Sequence, residues 1–398
     1  MAAMISFDEA ISLISDTGAP SGTEDVPLRA AHGRVLAEPV IAGVSSPPCD
    51  VSAMDGYAVR EGDVAKLPAV LPITGESFAG RPFGGSLEPG TCIRIFTGAA
   101  VPAGADRVIV QEVVARDGDL VRLEHPLSTA RHIRPRGSDF EAGEILLPAG
   151  TLVTPRALVA AAGGDVASVA VYRQPRVRLL STGDELVEPG QAGNTPGSIP
   201  ESVSFGVGAL AEEWGGRLVG TDRLPDDLAR MEQAAAAAFD TADLLVVTGG
   251  ASVGEKDFAR SMFDRTGLDL IFSKVSMKPG KPVWFGRAEG KLVLGLPGNP
   301  TSALVTARLF LAPLLCRMTG RNPAEALPWR SLPLAEDLGA TGDRETFSRG
   351  YIVGGAVRLF GHQDSSAQKV LASASLLIRR PAGNQLTASG SLVDVLDF

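Results

Sequence analysis

Cysteine, histidine and aromatic residues are all scarce in this chain of 398 residues, and each scarcity removes a class of function. The three cysteines, Cys49, Cys92 and Cys316, stand far apart with no Cys-x-x-Cys pair, which excludes a disulfide framework and a thiolate zinc site. A reducing, cytoplasmic setting is expected. The four histidines, His32, His125, His132 and His362, have no ligand-like spacing, so histidine acid–base chemistry is not the expected route. Aromatics make up only 5%, too few for a base-stacking platform, and the net charge of −9 opposes nucleic acid and anionic membrane surfaces. The N-terminus carries neither a basic nor an apolar signal region. The longest apolar run, near residues 309–315, is interrupted by Pro313 and reads as too short to span a bilayer. Neither a Ser/His/Asp hydrolase signature nor a phosphate loop ending in Gly-Lys-Ser/Thr is read from the sequence.

What is abundant is glycine and proline, 46 and 28 residues, and the most informative glycines follow residue 243. Residues 244–247 are four consecutive apolar residues, as in a buried parallel strand. Gly249, Gly250 and Gly254 then allow backbone angles closed to other residues, and Ser252 with Glu255 fits a capping box that starts a helix. Strand, Gly-rich loop and helix start together present free N–H groups to an anion such as phosphate. Glu255 and Asp257 add carboxylates able to hold a divalent cation against it. A plain strand-to-helix turn fits the same residues.

Elsewhere the chain predicts a multidomain α/β plus β fold. Residues 1–45 open with a helix capped by Ser6 and Glu9, and are grouped with residues 136–175 as an N-terminal helical-β domain. Residues 46–135 alternate short apolar runs with turns, the pattern of a small β domain, and Asp55-Gly56 within them reads as a turn pair. Residues 176–320 alternate strand and helix, which implies a mostly parallel sheet covered on both faces, a three-layer α/β domain. Residues 325–398 return to short strands, a C-terminal β domain.

In such α/β domains ligands sit in loops beyond the carboxyl ends of the strands. Those loops carry Asp184, Glu185, Asp226, Asp227, Glu255 and Asp257 against Lys274, Lys278 and Lys281. Crowded carboxylates imply a cation, a shared proton or solvent screening, and lysines beside a Gly-rich loop imply an oxyanion. The set predicts a metal-assisted site for a phosphorylated or nucleotide-like ligand. Pro297-Gly298-Asn299-Pro300 forms either a stiff pocket wall or only a rigid helix start, with Asn299 or Thr301 as cap.

These motifs, taken with Ser52-Ala53-Met54-Asp55-Gly56-Tyr57, Phe96-Thr97-Gly98-Ala99, the stretch 133–139 and Lys278-Pro279-Gly280-Lys281-Pro282, closely resemble the molybdopterin molybdenumtransferases, a family that includes the E domain of gephyrin. The resemblance covers about residues 5–320 in the family's order, and more loosely Arg344-Glu345 and Gly361-His362-Gln363. It implies a central domain of the molybdopterin-binding type, flanking β-rich domains, a small C-terminal β barrel and a homodimer. It implies insertion of molybdate into adenylylated molybdopterin with release of AMP and a need for Mg²⁺. By motif position, Asp226 and Asp257 are matched to the metal and the reaction, and Lys274 and Lys278 to oxyanion handling. Glu185, Asp139 and Asp55 match further acidic site residues, with Asp55 arriving from the other subunit. Thr97, Gly249, Gly250, Ser252, Gly254, Lys281, Pro297 and Pro300 fall where the substrate would be held. A molybdopterin adenylyltransferase is the implied partner enzyme.

Two departures stand out. Val203 replaces a polar Asn in the stretch after Gly197, and Asp364 replaces a glycine, where a turn needing positive φ would be strained and an anion repelled. They favour the alternative of a noncatalytic or substrate-altered scaffold protein on the same fold. An adenylyltransferase is a further alternative, opposed by the β domains on both sides of residues 176–320.

Overall fold

Strands of the α/β domain carry apolar residues at consecutive positions because both faces of their sheet are covered. The computed structural model describes residues 4–249 and 258–398. In it six strands follow the order Arg217–Leu224, Arg176–Thr182, Leu244–Thr248, Lys291–Leu296, Trp284–Ala288 and Asp269–Phe272. The first four are parallel, Trp284–Ala288 runs against its neighbours, and the edge strand Asp269–Phe272 is antiparallel to it. Alternate residues enter two cores. Leu179, Val246, Leu294 and Leu296 join one, with Phe7, Val207, Leu311 and Leu315. Leu180, Leu245, Val247 and Val293 join the other, with Met231, Phe239 and Met262. Helices Phe7–Thr17, Val203–Glu213 and Pro300–Met318 thus pack on one face, and Leu228–Phe239 and Phe258–Ser261 on the other.

Local chemistry places the helix ends. Ser6 Oγ accepts the Glu9 N–H at 3.1 Å, and Asp227 Oδ1 accepts the Arg230 N–H at 3.0 Å, so Asp227 is spent on a cap. Neither Asn299 nor Thr301 caps through its side chain; Asn299 sits at the N-cap position without such a bond. Helix Pro300–Met318 spans 19 residues, longer than the apolar run read from sequence, and includes a π-helical turn at Ala307–Leu311. Its mean hydropathy of 1.3 would suit a membrane, but 89% of it is buried inside the fold, as expected of a core helix.

The amino-terminal edge of the sheet is pinned by charge. Asp243 accepts from Arg176 through N (2.9 Å), Nε (3.1 Å) and Nη2 (2.9 Å), and Lys291 Nζ lies 3.7 Å away. Burial pushes the Asp243 carboxyl up, but the Arg176 bonds win and hold it below the usual range. Its stabilisation is therefore present above the ordinary aspartate pKa and is lost as pH falls through the lowered one.

The chain divides into two compact units, one of Met1–Glu24, Gly33–Ala37 and Ala170–Phe398, the other of Asp25–His32 and Glu38–Val169. The first also contains a six-stranded β sheet built from Met277–Lys278, Glu345–Val353, Leu376–Arg380, Leu392–Asp397 and Arg330–Pro333, with Ala356–Leu359 paired to Glu345–Val353. The second holds a six-stranded sheet ordered Arg107–Val110, Gly56–Val59, Cys92–Ile95, Ala69–Ser77, Leu120–Leu123 and Ala115–Asp117. Here the turn expected at Asp55-Gly56 is not found. Gly56 begins a strand buried at every position, and a Cβ on it would lie 1.9 Å from the Ile109 carbonyl oxygen. Close backbone approach, not a turn, requires this glycine.

Phe7 ties the first helix to the larger unit. Its ring lies 5.6 Å from Phe310 and 4.9 Å from Phe347, and the Arg379 guanidinium covers it while pairing with Asp8 and Glu345. Phe7→Ala is expected to cost about 3–5 kcal/mol of unfolding free energy by urea titration. An unchanged midpoint would show that the helix is not part of this core.

Candidate functional site

Three parallel strands end at one level because their pairing is in register, Ser181 beside Thr248 and Thr248 beside Leu296. The loops that follow touch through backbone. Gly249 has φ 98°, and a Cβ there would lie 2.4 Å from the Thr182 carbonyl oxygen; a Cβ on Gly298 would lie 3.1 Å from the Gly249 Cα. A side chain at either position would push these strand ends apart. Above this backbone floor opens a cleft of about 770 Å³. Glu185, Asp226, Gly249, Pro297 and Pro300, all expected at a site from the sequence, line it together.

The cleft sets carboxylates against helix starts. The Asp226 N–H donates to Asp184 Oδ1 at 3.0 Å, which shapes the loop that carries Asp226 to the cleft. Helices Val203–Glu213 and Pro300–Met318 both begin there, since Ser202, Val203, Asn299 and Pro300 are lining residues. The partial positive charge of these helix starts favours an anion, although the Ser204 N–H already donates to Glu201 and the Thr301 N–H to the Ser365 carbonyl. Glu185 and Asp226 supply hard oxygen donors beside that anion site.

Glu201 joins these parts, a role not read from the sequence. Buried at 6% exposure, its carboxylate accepts the Ser204 N–H at 2.8 Å, the Ser204 hydroxyl, and the Ser181 hydroxyl at 3.4 Å. Thr248 Oγ1 donates to Ser181 Oγ at 3.1 Å. One carboxylate thus caps a helix and links two strand ends. It fills the capping task that Ser202 does not perform. Val203, the departure from the expected amide, is half-buried and packs against the core.

A wall of the cleft comes from the C-terminal residues. Arg349, at 2% exposure, donates to the carbonyls of Asp364 (2.9 Å), Ala367 (3.2 Å) and His362 (3.4 Å) and reaches Thr301 Oγ1 at 3.5 Å. It thereby holds Ser366 and Gln368 at the cleft. Nothing in the residue types flags this; Arg349 reads as one more charge in a strand. Asp364 Oδ1 accepts the Ser366 N–H at 2.8 Å and hydroxyl at 2.7 Å, and these bonds hold its carboxyl below the usual range. The strain expected at Asp364 is absent: among the described non-glycine residues positive φ occurs only at His132, Asp165 and Glu289.

Other expected residues lie elsewhere. Lys274, Lys278 and Lys281 lie between Phe272 and Trp284 and do not line the cleft, although Pro282, next to Lys281, does. Lys278 is exposed on the short strand Met277–Lys278. Asp55, Thr97 and Asp139 belong to the other unit, where Asp55 and Thr97 are bonded to each other and Asp139 is exposed. Gly250, Ser252, Gly254, Glu255 and Asp257 lie outside the described residues. Residues 250–254 spell Gly-Ala-Ser-Val-Gly, the letters of a serine-hydrolase elbow, which corrects the reading that no such signature occurs. No histidine lines the cleft among the described residues, so a Ser/His pair has no support there.

Comparison with known proteins bears on both units. The family described as the MoeA N-terminal region (domain I and II) matches residues 5–164, and that described as a probable molybdopterin binding domain matches residues 178–317. A molybdopterin molybdenumtransferase of Haemophilus influenzae is 38% identical over 87% of this chain and 86% of its own length. Molybdopterin molybdenumtransferase 2 of Mycobacterium tuberculosis is 36% identical over 94% of each chain. The solved molybdopterin biosynthesis MoeA protein from Pyrococcus horikoshii OT3 is 28% identical, with a TM-score of 0.85 over 100% of both chains. With identity of this level running through most of the chain, and family models matching residues 5–164 and 178–317, the chain belongs to the molybdopterin molybdenumtransferase family, transferases of molybdenum cofactor biosynthesis.

Proposed function

We propose that this transferase inserts molybdate into adenylylated molybdopterin and releases AMP in a Mg²⁺-dependent reaction. The observation that carries the proposal is the cleft at the parallel strand ends, where Glu185 and Asp226 oppose two helix starts. Such a site suits a phosphate-bearing ligand with a cation beside it. Two hard carboxylates fit Mg²⁺, which is commonly held by one or two protein carboxylates together with substrate phosphates. Asp226 and Asp257 would hold it, and Glu185 lines the same cleft as Asp226. When bound, the ion would supply charge neutralisation at the phosphate being released.

The protein's own groups have separate tasks. The starts of Val203–Glu213 and Pro300–Met318 favour the phosphate by their partial positive charge. The backbone floor at Gly249 lets the ligand approach the main chain closely; Gly250, Ser252 and Gly254, outside the described residues, are assigned to substrate binding by the resemblance. Pro297 and Pro300 keep the wall rigid, so little ordering entropy is lost on binding. The family resemblance assigns Lys274, Lys278 and Lys281 to the oxyanion, with Lys278 on molybdate, although none of the three lines the cleft. Of the grounds for the scaffold alternative, only the strain at Asp364 is missing from the structure.

Asp226→Asn and Asp257→Asn each remove a charge with little change of shape. Each is expected to abolish Mg²⁺-dependent AMP release and leave the thermal melt in place. Lys278→Ala should lower turnover in a way that added Mg²⁺ does not rescue, because the missing group is not a metal ligand. AMP release across a Mg²⁺ titration, with a melt of each variant, is the measurement. Turnover at the wild-type rate in Asp226→Asn, or loss only through unfolding, would remove the metal role.

Asp55 and Asp139 lie in a different unit from Glu185 and Asp226. We propose a homodimer in which these carboxylates, with Thr97, serve the cleft of the second copy. Mixed Asp55→Ala and Asp257→Ala subunits are then expected to be more active than either variant alone. A monomer by sedimentation at micromolar concentration, or mixtures as inactive as their parents, would contradict this.

A further inference from the structure

Asp55 and Thr97 meet because two antiparallel strands carry them there. Gly56 pairs with Ile95 and Tyr57 with Arg94, so the chain just before one strand lies beside the chain just after the other. Asp55 Oδ1 accepts both the Thr97 N–H and the Thr97 hydroxyl, each at 2.8 Å. The pair is partly open to solvent, and two hydrogen bonds from one neighbour do not by themselves fix a carboxylate there.

Arg94 supplies the missing constraint. Its guanidinium lies 4.9 Å from the centroid of Tyr57, on one of these strands, and 4.8 Å from that of Phe96, just past the end of the other. Phe96 stacks on Phe78 at 4.5 Å, and Arg81 covers Phe78 at 4.6 Å, which extends the stack to the surface. The fork of Arg94 also reaches outward. Nη1 donates to the Gly56 carbonyl at 3.1 Å and Nη2 to Gln111 Oε1 at 2.5 Å, while the Gln111 N–H donates to the Asp55 carbonyl at 3.1 Å. One planar cation thus touches the residue after Asp55, the residue before Thr97, and the residue that holds the Asp55 backbone. Its acceptors are neutral, and among the described residues no ion pair takes up its charge, which helps to lower the Asp55 carboxyl.

We infer that Arg94 is a positioning residue, which orients the Asp55 carboxylate and the Thr97 hydroxyl as one unit for the transfer reaction. A purely structural side chain could fill the space between the two rings, but it would not bridge Gly56 and Gln111 while presenting a cation to Asp55. Lysine keeps the charge and loses the planar fork. The Asp55 carboxyl is held below its usual range chiefly by the two Thr97 hydrogen bonds, with the charge of Arg94 adding to them. The inference rests on the reading that Asp55 serves the reaction.

The test uses full-length protein with ¹³C-labelled aspartate, the Asp55 carboxyl being assigned by its loss in Asp55→Asn. In Arg94→Met the Asp55 titration midpoint is expected to rise and the Thr97 amide resonance to move. In Arg94→Lys the midpoint should return toward wild type while the Thr97 amide stays displaced. AMP release is expected to lose about ten- to a hundredfold in kcat in Arg94→Met with KM little changed, the scale of a misplaced catalytic group. In the Asp55→Asn background the same substitution should add no further loss. An unmoved Asp55 midpoint and Thr97 amide in Arg94→Met, or a full additional loss in the double variant, would overturn the role of Arg94 alone. Wild-type turnover by Asp55→Asn would overturn the Asp55 reading, and the positioning role with it.

Discussion

The in-register backbone ladder of Ser181, Thr248 and Leu296 sets the level at which three loops leave the sheet, and the site follows from that level. A slip of one residue would turn each strand's buried set to the opposite face. It would also lift one loop away from the other two. Gly249 and Gly298 allow the loops to close onto each other through main-chain contact, and Glu201 then ties two strand ends to a helix start. At the other end of the same strands, Arg176, Asp243 and Lys291 hold the sheet by charge. The sheet is thus anchored at both ends, by charge where no ligand is expected and by the buried Glu201 carboxylate at the cleft.

Much of this arrangement is legible in the chain itself. Consecutive apolar residues at 244–247 imply burial on both faces, and the two cores show why each of them is needed. The strand-end rule points to the loops of Glu185, Asp226, Gly249 and Pro297, and all four meet in one cleft. What the residue types do not reveal is how a polar group is spent. Asp226 and Asp227 are adjacent carboxylates in one loop; one lines the cleft and the other caps a helix. Arg349 and Glu201 act through contacts with residues distant in sequence or with backbone groups, and neither has a local signature.

Glycine is ambiguous for the same reason. Asp55-Gly56 has the composition of a turn, and only the approach of the Ile109 carbonyl to 1.9 Å of a would-be Cβ explains why glycine stands inside a strand. Helix Pro300–Met318 presents the converse case, since its hydropathy alone would allow a membrane span while the α/β core already covers it. In both instances tertiary surroundings decide what composition leaves open.

The central claim is that a divalent cation and an anionic ligand meet at the ends of the parallel strands. Anomalous diffraction from crystals grown with AMP and Mn²⁺, used in place of Mg²⁺, tests it directly. The account predicts a Mn²⁺ peak bound by the Asp226 carboxylate, with the AMP phosphate between that ion and the helix start at Pro300. A phosphate seated in the cleft with Mn²⁺ elsewhere, or AMP bound outside the cleft altogether, would contradict it.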